Sequence, residues 1–368
     1  MTVPMTSLAR SVLAPPREAA FARHPDRNQH LLAGWLFLVA FMIFVMVGLG
    51  GATRLTGSGL SIMRWAPLEG ALPPLSHAAW EHLYALYRRI PQYALLHQGF
   101  GLAGFQGIFW LEWVHRLWGR LIGLAVIAPL AIFWWQGRIT RWLAARLLLF
   151  FVLGGVQGLI GWLMVSSGFR PNSTAVAAPW LVFHLVFALT LYAAILWTAL
   201  TLYSPHPPPL PGARPLFRLT LLACILVALT IAAGGLTAGT HAGFIYNTFP
   251  LMEGHLVPAN YARITPFLAN FLRNTATIQF NHRLLASLTL LVILLAALVA
   301  FARRDRLSRA ALLAFAAFGF VVLLQYALGV ATLLLVVPLP LGIAHQLNAT
   351  LLLTAGLVAL STLRGAAP

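Results

Sequence analysis

The chain has 368 residues, of which 60% are hydrophobic and only 8% charged, with a mean hydropathy of +0.84. That composition excludes a soluble globular domain and reads as a polytopic membrane protein. The net charge of +17 comes from 24 arginines and no lysine against seven acids; because the arginines fall between apolar spans rather than in one patch, they read as topology determinants and not as nucleic-acid contacts.

Residues 1–30 are polar and carry Arg10, Arg17, Arg23 and Arg27. They lack the apolar core of a secretory signal and are expected to form a cytoplasmic tail. Apolar runs of about 20 residues, the length that spans a bilayer, follow near 31–51, 113–135, 147–166, 179–202, 217–238, 276–301, 310–336 and 342–363. Eight helices are therefore expected. The tail, Arg138/Arg141/Arg146, Arg214/Arg218, Arg303/Arg304/Arg306/Arg309 and Arg364 fall on one side, which is cytoplasmic by the positive-inside rule. Two long loops, 52–112 and 239–275, lie on the other. Within the first, His77–Arg89 has helical spacing and stops at Pro91, as a helix lying at the outer interface would. The single cysteine, Cys224, lies in an apolar span and leaves no intrachain disulfide, thiolate zinc cluster or iron–sulfur site.

The two halves repeat. Gly50-Gly51-Ala52-Thr53 returns as Gly234-Gly235-Leu236-Thr237, an offset of 184, and Gly59, Glu69-Gly70 and Pro74 return at the same offset as Gly243, Glu253-Gly254 and Pro258. His115-Arg116-Leu117 returns as His282-Arg283-Leu284, Gln157 and Gly161 as Gln325 and Gly329, and His184 as His345. Four helices per half enter the membrane in the same sense, so the expected architecture is all-α integral membrane. It consists of two four-helix bundles related by a pseudo-twofold axis along the membrane normal. The divisions are a tail 1–30, a first bundle 31–203, a cytoplasmic linker 204–215 and a second bundle 216–368.

Of the twelve histidines, eight lie in the tail or loops. His115, His184, His282 and His345 each fall near the outer start of an even-numbered span, one pair per half. Two inward-facing imidazoles from two helices of a bundle are a common way to hold haem iron. The adjacent Arg116 and Arg283 are expected to meet propionates at the polar rim. Zinc fits less well, since neither half offers a third ligand. The repeat fails at one informative place: Glu112 stands three residues before His115, whereas Gln279 stands three before His282. A carboxylate can move protons or stabilise positive charge where an amide cannot. The reacting site is therefore expected in the first half. Glu69 and Glu253 are expected to close the outer loops by binding backbone amides or arginines.

These residues resemble the haem A synthase family. The likeness rests on Thr53–Ser61 (TRLTGSGLS), Glu112–Arg116 (EWVHR), His184, Asn281–Arg283 (NHR) and His345, and it covers the chain from about residue 30 onward. It implies an eight-helix enzyme of the bacterial plasma (inner) membrane, with both termini cytoplasmic; the mitochondrial inner membrane is the second choice. The implied reaction oxidises a porphyrin methyl group of haem O to the formyl group of haem A by successive hydroxylations and loss of water, supplying haem-copper terminal oxidases. It further implies haem b held by His282 and His345 with Arg283. Substrate haem O would lie between His115 and His184 with Arg116, and Glu112 would act at the methyl. Haem O synthase and an oxidase assembly factor are implied partners, beside an unidentified electron donor and membrane lipid. Small-residue faces permit a homo-oligomer. The chain looks like the class without the outer-loop cysteine pair; Arg64 and Gly57 depart from residues common in that family. Two other readings use the same residues: a di-haem b-type cytochrome relaying electrons from quinol, which leaves Glu112 against Gln279 unexplained, and a transporter built on parallel repeats.

Overall fold

The computed structural model describes residues 25–204 and 210–366. Arg10, Arg17 and Arg23 of the expected tail lie outside them, as does His206 of the linker. Among the described residues the fold is helical with no strand. The helices are α1 (Pro25–Leu55), α2 (His77–Tyr87), α3 (Pro91–Leu96), α4 (Gly101–Trp135), α5 (Arg141–Ser167), α6 (Ala178–Tyr203), α7 (Arg214–Gly239), α8 (Asn270–Arg273), α9 (Thr275–Ala302), α10 (Arg309–Leu334) and α11 (Leu339–Thr362). Eight of these, all but α2, α3 and α8, are long and apolar enough to cross a membrane, and the protein is a multi-pass membrane protein.

The ends of the spans follow local rules. Thr140 and Ser308 cap α5 and α10 by accepting from the N–H groups of Leu143 and Ala311, and Asn274 caps α9 by accepting from Ala276 and Thr277. A proline in the first two positions opens α6, α7 and α11, where its missing N–H costs nothing.

Helix α4 corrects the expected boundary. It starts at Gly101, not 113, so the first outer loop ends at residue 100. Its 35 residues make a rod of about 52 Å at 1.5 Å per residue, far longer than a hydrocarbon core of about 30 Å. The outer turns carry Gly101, Gly104 and Gly107 with Gln106 among apolar residues. They pack into a small outer dome, in which Phe105, Ile108 and Phe109 are buried with Leu60, Tyr87, Ile90 and Val165. The expected outer helix is present as α2, followed by a break and then α3. Helix α1 likewise starts before residue 31, at Pro25.

In the first half α1 packs on α4, α4 on α5, α5 on α6, and α6 closes on α1; in the second, α7, α9, α10 and α11 make the corresponding ring. Between halves α1 meets α11, and its repeat mate α7 meets α6, the mate of α11. Close approach there depends on glycine. A Cβ on Gly51 would stand 2.8 Å from Gln346 Oε1 of α11, and one on Gly239 would stand 2.8 Å from Ala178 Cβ of α6. The main apolar core joins both halves and occupies the portion of the spans nearer the two chain termini, from Leu32–Val47 of α1 to Leu352–Leu363 at the end of the chain. The outer portion of each ring is left to polar residues.

Candidate functional site

Each half carries a strap between its first two long helices. After α1, Gly57 takes a left-handed φ of +68° and Ser58–Leu60 form a single 3-10 turn; after α7, His241 takes φ +56° and Ala242–Phe244 form the same turn. Glycine is at ease there, while a histidine bears some strain. The expected tight turns are thus observed at matched positions. Glu69 and Glu253 are exposed. Among the described residues the carboxylates in ion pairs are Glu81 and Glu112. The expectation that Glu69 and Glu253 clasp the loops is corrected: the 3-10 turn at Glu69 and the φ of +51° at Glu253 turn both side chains to solvent.

The four histidines lie in the outer portion of the rings, half-buried. His184, His282 and His345 stand about two turns into α6, α9 and α11. His115 stands four turns into α4 rather than at its start, because α4 begins in the dome. The structure brings the pairs together: His115 and His184 are within electrostatic reach of each other, as are His282 and His345. A glycine faces each ring. A Cβ on Gly50 would stand 3.3 Å from His115 Nε2, and one on Gly234 would stand 3.0 Å from His282 Cε1; Gly161 and Gly329 would approach His184 and His345 Cε1 at 2.9 Å. All four glycines are repeat mates, so the clearance is built twice.

Amides flank the second histidine of each pair. Gln157 Nε2 lies 3.1 Å from His184 Nδ1 and donates to the His184 carbonyl at 3.0 Å. Gln325 Nε2 lies 3.2 Å from His345 Nδ1, and its Oε1 accepts from Asn348 at 2.9 Å. Phe187 occupies the repeat position of Asn348. Gln157 Oε1 is buried without a partner, as is His282 Nδ1. Such orphaned atoms cost about 1–3 kcal/mol each, and Gln157 Oε1 and His282 Nδ1 belong to the same helix rings as the paired histidines. Among the described residues no three His, Cys, Asp or Glu side chains converge. Paired imidazoles with glycine clearance are the donor chemistry that would hold a haem iron.

The arginines beside the histidines are turned to the straps. Arg116 donates to the carbonyls of Arg64 (2.8 Å) and Ile62 (2.7 Å) and pairs with Glu112 at 2.6 Å. Arg283 donates to the carbonyls of Thr248 (2.9 Å) and Tyr246 (2.6 Å), the repeat mates of those two. Glu112 is 2% exposed and also accepts from Ser61 Oγ at 2.7 Å and Ile62 N at 2.9 Å. Gln279, equally buried, donates to the carbonyls of Ala242 and Ile245. The Glu/Gln difference and the histidines are legible in the sequence, whereas Ser61, the four facing glycines and Asn348 gain a part only in the fold. The repeat offsets carried the signal for Ser61 and the glycines.

From residue 33 to residue 357 the chain matches COX15-CtaA, the cytochrome oxidase assembly protein family. The chain belongs to the COX15-CtaA family. Among curated relatives it is 58% identical to "Heme A synthase" of Granulibacter bethesdensis over 341 residues, covering 93% of this chain and 89% of that protein. It is 47% identical to "Heme A synthase 2" of Acidiphilium cryptum over 94% of this chain and 95% of that one. "Heme A synthase" of Methylobacterium radiotolerans is 46% identical over 92% of each. The COX15-CtaA match therefore takes in both straps, both glycine-faced histidine pairs and Glu112.

Proposed function

We propose that this protein is a haem A synthase, a membrane oxidoreductase that converts haem O to haem A. One observation carries the proposal: a frame duplicated down to its histidines, facing glycines and strap arginines differs by a carboxylate in one half and an amide in the other. The kinship with proteins named heme A synthase, at up to 58% identity among those compared, supplies the reaction. A methyl substituent of the porphyrin is oxidised to a formyl group by successive hydroxylations and loss of water.

In this reading the first bundle, residues 31–203, takes substrate haem O between His115 and His184. The second bundle, residues 216–368, keeps haem b between His282 and His345. When bound, haem b supplies one-electron redox chemistry. The protein's own contribution is positional. Gly50, Gly161, Gly234 and Gly329 clear the rings, and Gln157 and Gln325 orient the two histidines that have an amide neighbour. Arg116 and Arg283 close the straps that keep water from the outer portion of the rings. Glu112 presents its charge on the His115 side of the first ring, where it can stabilise positive charge at the methyl or accept its proton. In this reading the straps face the outside of a bacterial inner membrane and both termini the cytoplasm, an orientation that the loop arginines support. Haem O synthase and an oxidase assembly factor fit as neighbours that deliver substrate and take product.

The test is to extract and identify haem from the purified protein and from cells lacking it. Haem b together with haem O or haem A should co-purify, and haem A should vanish from the deletion strain. Two haem b groups in the protein and normal haem A in the deletion strain would overturn the proposal in favour of an electron-relaying cytochrome.

A further inference from the structure

The two straps share one bonding scheme but differ in polarity. In both, an arginine clasps two carbonyls at matched positions, Ile62 and Arg64 in the first half and Tyr246 and Thr248 in the second. In the second half the buried neighbour is a neutral amide that donates to carbonyls. That half shows that closing a strap needs neither a carboxylate nor a hydroxyl. In the first half the direction is reversed, and the strap donates to the site. Glu112 Oε2 accepts from Ser61 Oγ and Ile62 N, while Oε1 accepts from Arg116 Nη2 at 2.6 Å and Nε at 3.1 Å. Ser61 is 1% exposed, and its repeat mate is Ile245, which has no side-chain donor. The hydroxyl thus occurs only where the carboxylate does, beyond what strap closure requires.

We propose that Ser61 is a positioning residue for the oxidation: its hydroxyl and the Ile62 N–H fix one oxygen of Glu112 while Arg116 fixes the other. A carboxylate on a flexible side chain is thereby held in a single orientation, before substrate arrives. Donors on both oxygens confine the otherwise broad terminal torsion to one plane, and the half-turn that exchanges the two equivalent oxygens restores the same arrangement. This rests on the reading of Glu112 as the catalytic group.

The experiment compares full-length wild type, Ser61→Ala, Ser61→Thr and Glu112→Gln, purified in lipid nanodiscs. Readouts are haem content, KM for haem O, turnover to haem A, and the carboxylate stretching bands assigned to Glu112 by their loss in Glu112→Gln. Removing one hydrogen bond to a charged group should slow turnover about 10- to 100-fold, with haem content and KM unchanged. The Glu112 band should shift, and Ser61→Thr should restore both rate and band. Wild-type turnover with an unshifted band in Ser61→Ala would overturn the proposal. So would lost turnover accompanied by lost haem or left unrescued by threonine, since either marks Ser61 as part of the strap alone. Full activity in Glu112→Gln would instead remove the catalytic reading itself, so the two failures are distinguishable.

Discussion

At the scale of single residues, the chemistry turns on atoms that a hydropathy plot treats as equal. Glu112 and Gln279 have nearly the same volume and the same burial, yet toward the strap backbone Glu112 accepts a hydrogen bond from Ile62 N while Gln279 donates to the Ala242 and Ile245 carbonyls. The second half demonstrates that the frame folds around an amide. Glu112→Gln should therefore retain its haem while losing haem A formation by about 100-fold or more; pigment spectra beside a haem A assay check this, and full haem A production would refute the role. The facing glycines make a second prediction. An alanine methyl at Gly329 would lie 2.9 Å from His345 Cε1, so the ring must leave its place. Gly329→Ala should deplete haem b in the purified protein while leaving the first-half haem, and overpacking of this kind costs about 1–3 kcal/mol in stability. An unchanged haem b content would show that the ring is free to shift.

At the scale of elements, the dome is a small second core, separate from the main one and built on the first turns of α4. Tyr87 sits at its centre with no exposed surface, donating to Gln92 Oε1 and meeting His97 Nδ1 at 2.6 Å, while Gln92 reaches the Gly57 and Thr174 carbonyls. Burial first, then the nearby Glu112 charge, pushes the Tyr87 phenol up, so it remains a donor. Burial lowers His97 below the ordinary histidine value. The native dome then takes up the His97 proton at lower pH than the unfolded chain does. Its stabilising contribution is full above about pH 6.5 and is lost as pH falls through the lowered native value. Amide protection factors in α2 and α3, with the intrinsic pH dependence of exchange divided out, should fall on acidification below about pH 6.5, and His97→Gln should flatten that fall. An equal fall in the variant would assign the effect to another group.

For the whole molecule, the halves are joined by packing of glycine faces and a few polar bonds across a shared apolar core. Tyr192 of α6 meets Thr354 of α11 at 2.6 Å between hydroxyls, and Gln346 donates to the Val47 carbonyl of α1 at 2.9 Å. Tyr192 is 4% exposed, so Tyr192→Phe leaves the Thr354 hydroxyl to its helical bond with Thr350. The expected cost is about 1 kcal/mol, read as a lower midpoint in thermal unfolding with haem spectra unchanged. A wild-type midpoint would mean that the apolar core alone sets the contact.

Much of this was legible in one dimension. Span length, arginine distribution, the internal repeat, the four histidines and the exchange of Glu112 for Gln279 are properties of spacing and residue type. They survive without knowledge of how the chain packs, because the bilayer imposes helices and the repeat supplies its own comparison. The tertiary structure decided what depends on residues far apart in sequence. It turned the outer part of α4 from loop into helix by giving Phe105 and Phe109 a dome to fill. It turned Arg116 and Arg283 toward the strap carbonyls, placed Gly50 against His115 and Gly161 against His184, and set Ser61 on Glu112. Distance and hydrogen-bond direction are fixed only when the helices meet, and a residue string contains neither.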